Sequence, residues 1–262
     1  MAPDGDLARA LAFQHAIQDA SATRTRRFRW GVALLHEALP YSQAHNFLRV
    51  EPHAGGAAGP TAAGLALEAD RLLGAAGLGH RRVQVDDERL GAGLAPGFHA
   101  LGWDCSPLLL MAWRRPPDRP AQPGVAQEVD WPTLRPAVEA MLRRAPFGRD
   151  QETVRQLVDR KQVTAAVTCL RLFAARVGGQ IASFCELYSD GVTAQIEDVN
   201  TFEEHRGRGL ARAVVLHAAA AARRAGNRLV FLVAEDDDWP KRLYRRLGFD
   251  PLGRTWTFTR VG

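Results

Sequence analysis

Apolar positions recur along this chain with two periods, one near 3.6 and one of 2, and the exchange between them is most regular in its second half. Residues 131–144 place Leu134, Val138 and Leu142 on one helical face, with Pro132 in the first turn where its missing N–H costs nothing. Residues 151–160 repeat the helical spacing with Val154, Leu157 and Val158. Residues 125–129, 166–174, 180–187 and 194–201 read as strands, the second and third joined through Arg176, Gly178 and Gly179 as a hairpin. Residues 210–225 are an Ala, Val and Leu helix stopped by Gly226, and 229–234 (LVFLVA) is apolar throughout, as suits a strand buried on both faces. Asp238 can cap a last helix reaching Leu247, with Gly248 ending it, and 255–260 (TWTFTR) alternates like a closing strand.

The first half carries a partial echo of the second. Residues 80–113 can be laid over 227–258, pairing VQV with VFLV, Asp86/Asp87 with Asp236/Asp237, and Leu101-Gly102-Trp103 with Leu247-Gly248-Phe249. An amphipathic helix at 61–73 precedes the first of these strands as 210–225 precedes the second, which implies an ancestral duplication. Between the halves, residues 116–124 (PPDRPAQPG) hold four prolines and a glycine, so the segment continues neither a helix nor a central strand and reads as a linker.

Composition narrows the function classes. A length of 262 residues with 46% hydrophobic content suffices for packed cores, and no apolar run approaches the roughly 20 residues that span a bilayer. The amino terminus MAPDGD has no cationic stretch followed by an apolar one, so a cytoplasmic protein is expected. The formal net charge of +5 is almost all arginine, with Lys161 and Lys241 the only lysines. The densest basic cluster, residues 23–30 (TRTRRFRW), lacks a nucleic-acid fold signature and is expected to be a solvated edge or loop, which argues against a nucleic-acid partner. Cys105, Cys169 and Cys185 form no CxxC pair, and Cys169 and Cys185 lie in apolar runs that suit buried free thiols. His80, His99, His205 and His217 are isolated, so no metal is expected.

Candidate chemistry concentrates in residues 197–211, EDVNTFEEHRGRGLA. A strand there enters a loop containing Arg206, Gly207, Arg208 and Gly209, directly before a helix. Free N–H groups at a helix start, and glycines that let a ligand approach the main chain, make an anion site favoured by the helix dipole. Glu186, Glu197, Asp198, Glu203, Asp236, Asp237 and Asp238 fall at neighbouring strand ends; they form either an acidic rim for a cationic amine or routine end caps.

From residue 125 onward, the element order, the RGxGLA loop and the later Leu243-Tyr244 and Leu247-Gly248-Phe249 pattern (LYxxLGF) resemble the GNAT acyltransferase superfamily. The resemblance implies an α/β (α+β) fold, a mixed central sheet with flanking helices, repeated as two GNAT-like domains. Residues 1–115 would be a degenerate half without the coenzyme A loop, shaping an acceptor pocket or covering the slot, since residues 53–60 (HAGGAAGP) have glycines but no arginines; 116–124 would be the linker and 125–262 the acetyltransferase domain. Trp30, Tyr41 and Trp103 of that half line a pocket or pack in its core.

The same resemblance implies acetyl-coenzyme A as donor, its pyrophosphate on Arg206, Gly207, Arg208, Gly209, Leu210 and Ala211, with Arg212 close by on the first helical turn. Arg206 and Arg208 either bond phosphate or merely solvate the loop. Backbone groups at Val199, Asn200 and Thr201 would pair with the pantetheine amides in a slot between splayed strands. Asp237 stands where many relatives have asparagine, and Tyr244 matches the tyrosine that protonates the departing thiolate. For the base that deprotonates an amine, Glu197 leads because strict alternation puts it on the face of Val199 and Thr201, with Asp198 on the opposite face as the alternative. The implied activity is direct transfer of an acetyl group to a primary amine of a small molecule. Acetylation of a peptide or protein amine, and a non-catalytic acyl-coenzyme A sensor or scaffold, are the alternatives; a monomer or homodimer is expected.

Overall fold

The computed structural model describes residues 3–51 and 59–261. The chain divides into two compact units, and neither is contiguous: one comprises 14–109, 235–237 and 253–262, the other 1–13, 110–234 and 238–252. The expected boundaries at 115 and 125 do not coincide with these units. Strand pairing decides the difference, because the last part of the C-terminal strand, Trp256 to Val261, pairs antiparallel with Val85 to His80 of the first half.

The first of these units contains the last part of helix α1 (Pro3–Ser21), then β1 (Arg24–Phe28), β2 (Gly31–Leu35), β3 (Phe47–Val50), α2 (Ala62–Ala69), β4 (His80–Val85), α3 (Glu88–Ala100) and the first part of β5 (Asp104–Trp113). Thr61 accepts the Gly64 N–H and so starts α2, which runs on through a π turn at Asp70–Gly74. β3 and β4 are parallel, while β1 pairs only with β2 and exposes its arginines, as expected of a solvated edge. Leu65, Leu73, Val83, Phe98 and Phe258 are fully buried, with the Phe98 ring stacked 4.2 Å from Phe258. Trp103 joins this core, 5.0 Å from Phe98, whereas Tyr41 is exposed. Most of the 53–60 glycine segment lies outside the described residues.

The other unit holds β6 (Ala126–Val129), α4 (Trp131–Arg143), α5 (Gln151–Val167), β7 (Cys169–Val177), β8 (Gln180–Ser189), β9 (Thr193–Thr201), α6 (Leu210–Arg224), β10 (Leu229–Glu235, grouped here through Ala234), α7 (Pro240–Arg246) and the start of β11 (Phe249–Val261). β6 to β9 form an antiparallel run, and β10 joins β9 in parallel, giving a mixed sheet flanked by helices. Gly178 and Gly179 both have positive φ, the backbone that a two-residue hairpin turn demands. α5 continues past residue 160 to Val167, so β7 begins at Cys169 and leaves that thiol exposed rather than buried. The extension follows from Lys161 and Thr164, which point inward three residues apart on the same helix face.

The repeat is legible in three dimensions. Gly102 and Gly248 both have positive φ, and each is followed by a buried aromatic residue, Trp103 or Phe249. The two copies differ at the helix start: Asp87 caps α3 by accepting the Leu90 N–H, whereas α7 has no side-chain cap. Asp238, the expected cap, accepts only the adjacent Trp239 N–H, and Pro240 opens the helix. The 116–124 segment forms neither helix nor strand, but it is anchored, because Asp118 N–H donates to the Arg246 carbonyl at 2.7 Å.

Candidate active site

β9 and β10 pair from Thr193 and Leu229 as far as Ile196 and Leu232, and the pairing stops there. Residues 197–201 continue β9 without a β10 partner, so this edge of β9 is left free of β10. On its other edge β9 stays paired with β8, but with a register shift: Ser183 faces Thr201 and Phe184 faces Asn200, whereas Glu186 faces Glu197. Asp198 and Val199 together occupy the space opposite Cys185. This is a β-bulge, and Asp198 takes φ 48, the one positive φ at a non-glycine among the described residues.

The bulge corrects the facing read from alternation. Cross-strand partners share a face, so Glu197 lies on the face of Glu186 while Thr201 lies on that of Ser183, whose Oγ is 2.8 Å from Thr201 Oγ1. Asp198 is not set opposite Glu197, for both approach the groups that α5 presents. The extra residue breaks the period of 2, which no residue type in IEDV announces.

A buried charge cluster forms on that face. Lys161 of α5 is 3% exposed, and its ammonium is 2.5 Å from Glu186 Oε1 and in contact with Asp198 Oδ2. Arg160 reaches Asp198 Oδ2 at 3.0 Å, and the Tyr188 hydroxyl donates to Glu186 Oε2 at 2.7 Å. Burial works to raise Asp198, yet Lys161 and Arg160 hold it well below the usual carboxylate range. Burial, aided by Asp198, pushes Glu186 up against the pull of Lys161.

Glu197 is treated differently. It accepts a hydrogen bond from Gln195, has no cationic partner at bonding distance, and remains partly open to solvent. Burial, then the charges of Asp198 and Glu186, push it up to about 7. Three of the seven acids expected at the rim are therefore paired with cations. Glu186 and Asp198 are paired inside this unit, and in the other unit Asp236 binds Arg254 at 2.6 Å. Asp237 is exposed and belongs to that other unit.

Tyr244, on α7, is buried, and its ring lies edge-on to Phe249. Burial raises its phenol well above the ordinary value, and Cys185, Glu197 and Asp238 act in the same direction, so it stays protonated at neutral pH. Their effect brings β8, β9 and α7 into one electrostatic neighbourhood. The Cys185 thiol is itself pushed up by burial and is inert as a nucleophile.

The loop meets the start of α6 as its glycines require. Gly207 and Gly209 have φ 76 and 77, and a Cβ on either would point into open space. Arg206, Gly207, Arg208 and Gly209 are exposed. Among the described residues, the Gly207, Arg208 and Gly209 N–H groups have no backbone acceptor, and neither the Arg206 nor the Arg208 guanidinium has a partner. Leu210, Ala211 and Arg212 follow as the first helical residues, whose N–H groups have no acceptor within the helix.

The Arg212 side chain is not part of this array. It is buried, and Nη1 donates to Asp118 Oδ1 at 2.6 Å and to the Arg119 carbonyl at 2.9 Å. A residue expected near the anion site thus ties down the segment before β6.

Sequence reasoning did not find Lys161, Arg160 and Tyr188. Only the rarity of lysine in so arginine-rich a chain marked Lys161. Among the described residues, no group of His, Cys, Asp and Glu could hold a metal ion, and no helix is long and apolar enough to cross a membrane.

A model of the acetyltransferase (GNAT) family matches residues 135–249. Among solved structures, a functionally unknown conserved protein from Staphylococcus epidermidis is similar at TM-score 0.69 and 16% identity, over 90% of this chain and 93% of that one. A GCN5-related N-acetyltransferase from Kribbella flavida is similar at 0.60 and 21% identity, over 97% and 96%. A tandem GNAT protein from the clavulanic acid biosynthesis pathway is similar at 0.55 and 17% identity, over 100% and 97%. At these identities the likeness is one of fold, and the last agrees with two GNAT-like domains. No curated protein matches the chain.

Proposed function

We propose, from the match of residues 135–249 to a model of the acetyltransferase (GNAT) family, that the chain moves an acetyl group from acetyl-coenzyme A directly to a primary amine of a small molecule, in the cytoplasm. The observation that carries this reading is the free edge of β9 beyond Ile196, where pairing with β10 ends, with Glu197 on it and a loop of free N–H groups following β9.

The residues present fit that donor. Glycines in the left-handed region leave room for a pyrophosphate against the main chain, and the unpartnered Arg206 and Arg208 supply charge-assisted bonds to phosphate. The edge of β9 at Val199, Asn200 and Thr201, free of β10, suits strand-like pairing with the pantetheine amides. Neither Arg212 nor Asp237 enters this account, since the Arg212 side chain is held by Asp118 and Asp237 belongs to the unit of residues 14–109.

When bound, acetyl-coenzyme A supplies the acyl group as a thioester. The Glu197 carboxylate accepts the proton that the acceptor nitrogen loses as its bond to the acyl carbon forms. An acid raised to about 7 is half ionised at neutral pH, and so balances availability against basicity. The neutral Tyr244 hydroxyl donates its proton to the departing sulfur and regains one from solvent. Lys161 and Arg160 keep Asp198 charged and occupied, which favours Glu197 over Asp198 as base.

The test is incubation of the whole protein with acetyl-coenzyme A and a panel of small amines, with peptides in parallel, following thiol release. Turnover with small amines that falls at least about 100-fold in Glu197→Gln supports the reading. Tight coenzyme A binding with no thiol release from any acceptor points to a sensor instead, and unchanged turnover in the variant removes Glu197 as base.

A further inference from the structure

The buried cluster around Lys161 has a role that acyl transfer by Glu197 and Tyr244 does not itself require. Lys161 is one of two lysines among the 34 basic residues, and among the described residues it is the only cation in contact with both Glu186 on β8 and Asp198 on β9. Both carboxylates adjoin Glu197: Glu186 is its strand partner, and Asp198, held at φ 48 within the bulge, is its chain neighbour. We propose that Lys161 is a positioning residue, whose ammonium bridges Glu186 and Asp198 across the β9 bulge, fixes the backbone on both sides of Glu197 and places a positive charge beside it. The inference rests on the reading of Glu197 as the base.

The geometry supports it in two ways. An aspartate with positive φ is strained, and such a backbone persists only when its surroundings over-determine it. Here the side chain of Asp198 is gripped by Lys161 and Arg160 from α5, while its Asn200 neighbour folds back to donate to the Asp198 carbonyl at 3.0 Å. Lys161 also neutralises one charge in a crowded acidic set. The groups around Glu197 are Asp198 and Gln195 on β9, Cys185, Glu186 and Tyr188 on β8, Arg160 and Lys161 on α5, and Tyr244 on α7. Of the two cations in that set, Lys161 is the one that pulls Glu197 down toward the neutral range, against burial and two carboxylates.

The experiment needs no acceptor. The side-chain carboxyl carbons of glutamate are labelled, the Glu197 resonance is assigned by its loss in Glu197→Gln, and its titration is followed by NMR in the intact protein. In Lys161→Met the Glu197 midpoint is expected to rise by about one unit or more, because an opposing charge has been removed. In Glu186→Gln it is expected to fall, and this reversal of sign is a response that a purely structural lysine would not produce. Amide exchange at Asp198 and Val199 is expected to quicken in Lys161→Met as the bulge loosens. A folded Lys161→Met with the wild-type midpoint overturns the proposal. Should that variant not fold, Glu186→Gln is compared with Lys161→Met/Glu186→Gln, which leaves no unpaired Glu186 charge. A higher midpoint in the double variant supports the proposal, and an equal one overturns it. The two readings fail separately: unchanged turnover in Glu197→Gln removes the base yet leaves the hold of Lys161 measurable, whereas an immobile midpoint removes Lys161 and leaves the base.

Discussion

Replacing Glu197 with glutamine should stabilise the protein, and only at pH values where its carboxyl is ionised. The folded state holds the Glu197 proton up to about pH 7, while the ordinary value is 4.5. Between those values the folded chain binds more protons than the unfolded one, so stability falls as pH rises. The penalty is absent below about 4.5 and complete above about 7. A gap of about 2.5 units, at roughly 1.4 kcal/mol per unit, gives an upper figure of roughly 3 kcal/mol; partial solvent access reduces this to about 1–3 kcal/mol. Glutamine has almost the same shape, and its carbonyl can still accept the Gln195 hydrogen bond. Urea unfolding of both proteins without ligand, at pH 4.5 and pH 8, reads the effect. The variant should match wild type at the lower pH and exceed it at the higher. An equal difference at both values would refute the raised titration, and with it the argument that Glu197 is poised as a base.

Three further outcomes follow from the same geometry. Gly209→Asp puts a side chain on a φ of 77 and a negative charge in the path of phosphate, so coenzyme A affinity by calorimetry should fall at least about tenfold; undiminished affinity would remove the loop assignment. Arg212→Ala leaves the Arg119 carbonyl and Asp118 without their donor, so it should lower stability by about 1–3 kcal/mol while coenzyme A affinity stays within about twofold; a large loss of affinity would restore Arg212 to the anion site. Tyr244→Phe keeps the ring against Phe249 but removes the proton donor, so kcat should drop about tenfold or more with little change in KM for acetyl-coenzyme A, and equal kcat would end its acid role.

Much of the fold was legible because its determinants are local. The LVFLVA run specifies a strand buried on both faces wherever it packs, and Gly226 stops α6 with φ 91, a conformation that glycine adopts without strain. The RGRGLA loop was equally plain, since exposed glycines and free N–H groups ahead of a helix are set by consecutive residues of one chain segment. The end of α5 was less so: Lys161 to Val167 lacks a clear apolar stripe, and only burial of Lys161 and Thr164 decides that the helix continues.

What the sequence by itself determined, then, is the element order from residue 125 onward, the glycine loop with its free N–H groups before α6, and Tyr244 on its short helix. Tertiary structure decided which charges remain available there. Lys161 meets Asp198 across 37 residues, and Arg212 meets Asp118 across 94, so no local pattern reveals that one acid and one arginine are already taken. It also decided the facing of Glu197, because a single extra residue in β9, absorbed only through pairing with β8, turns a strict alternation into a bulge. Periodicity belongs to the segment, whereas compensation of charge and strand register belong to whatever the fold brings alongside it.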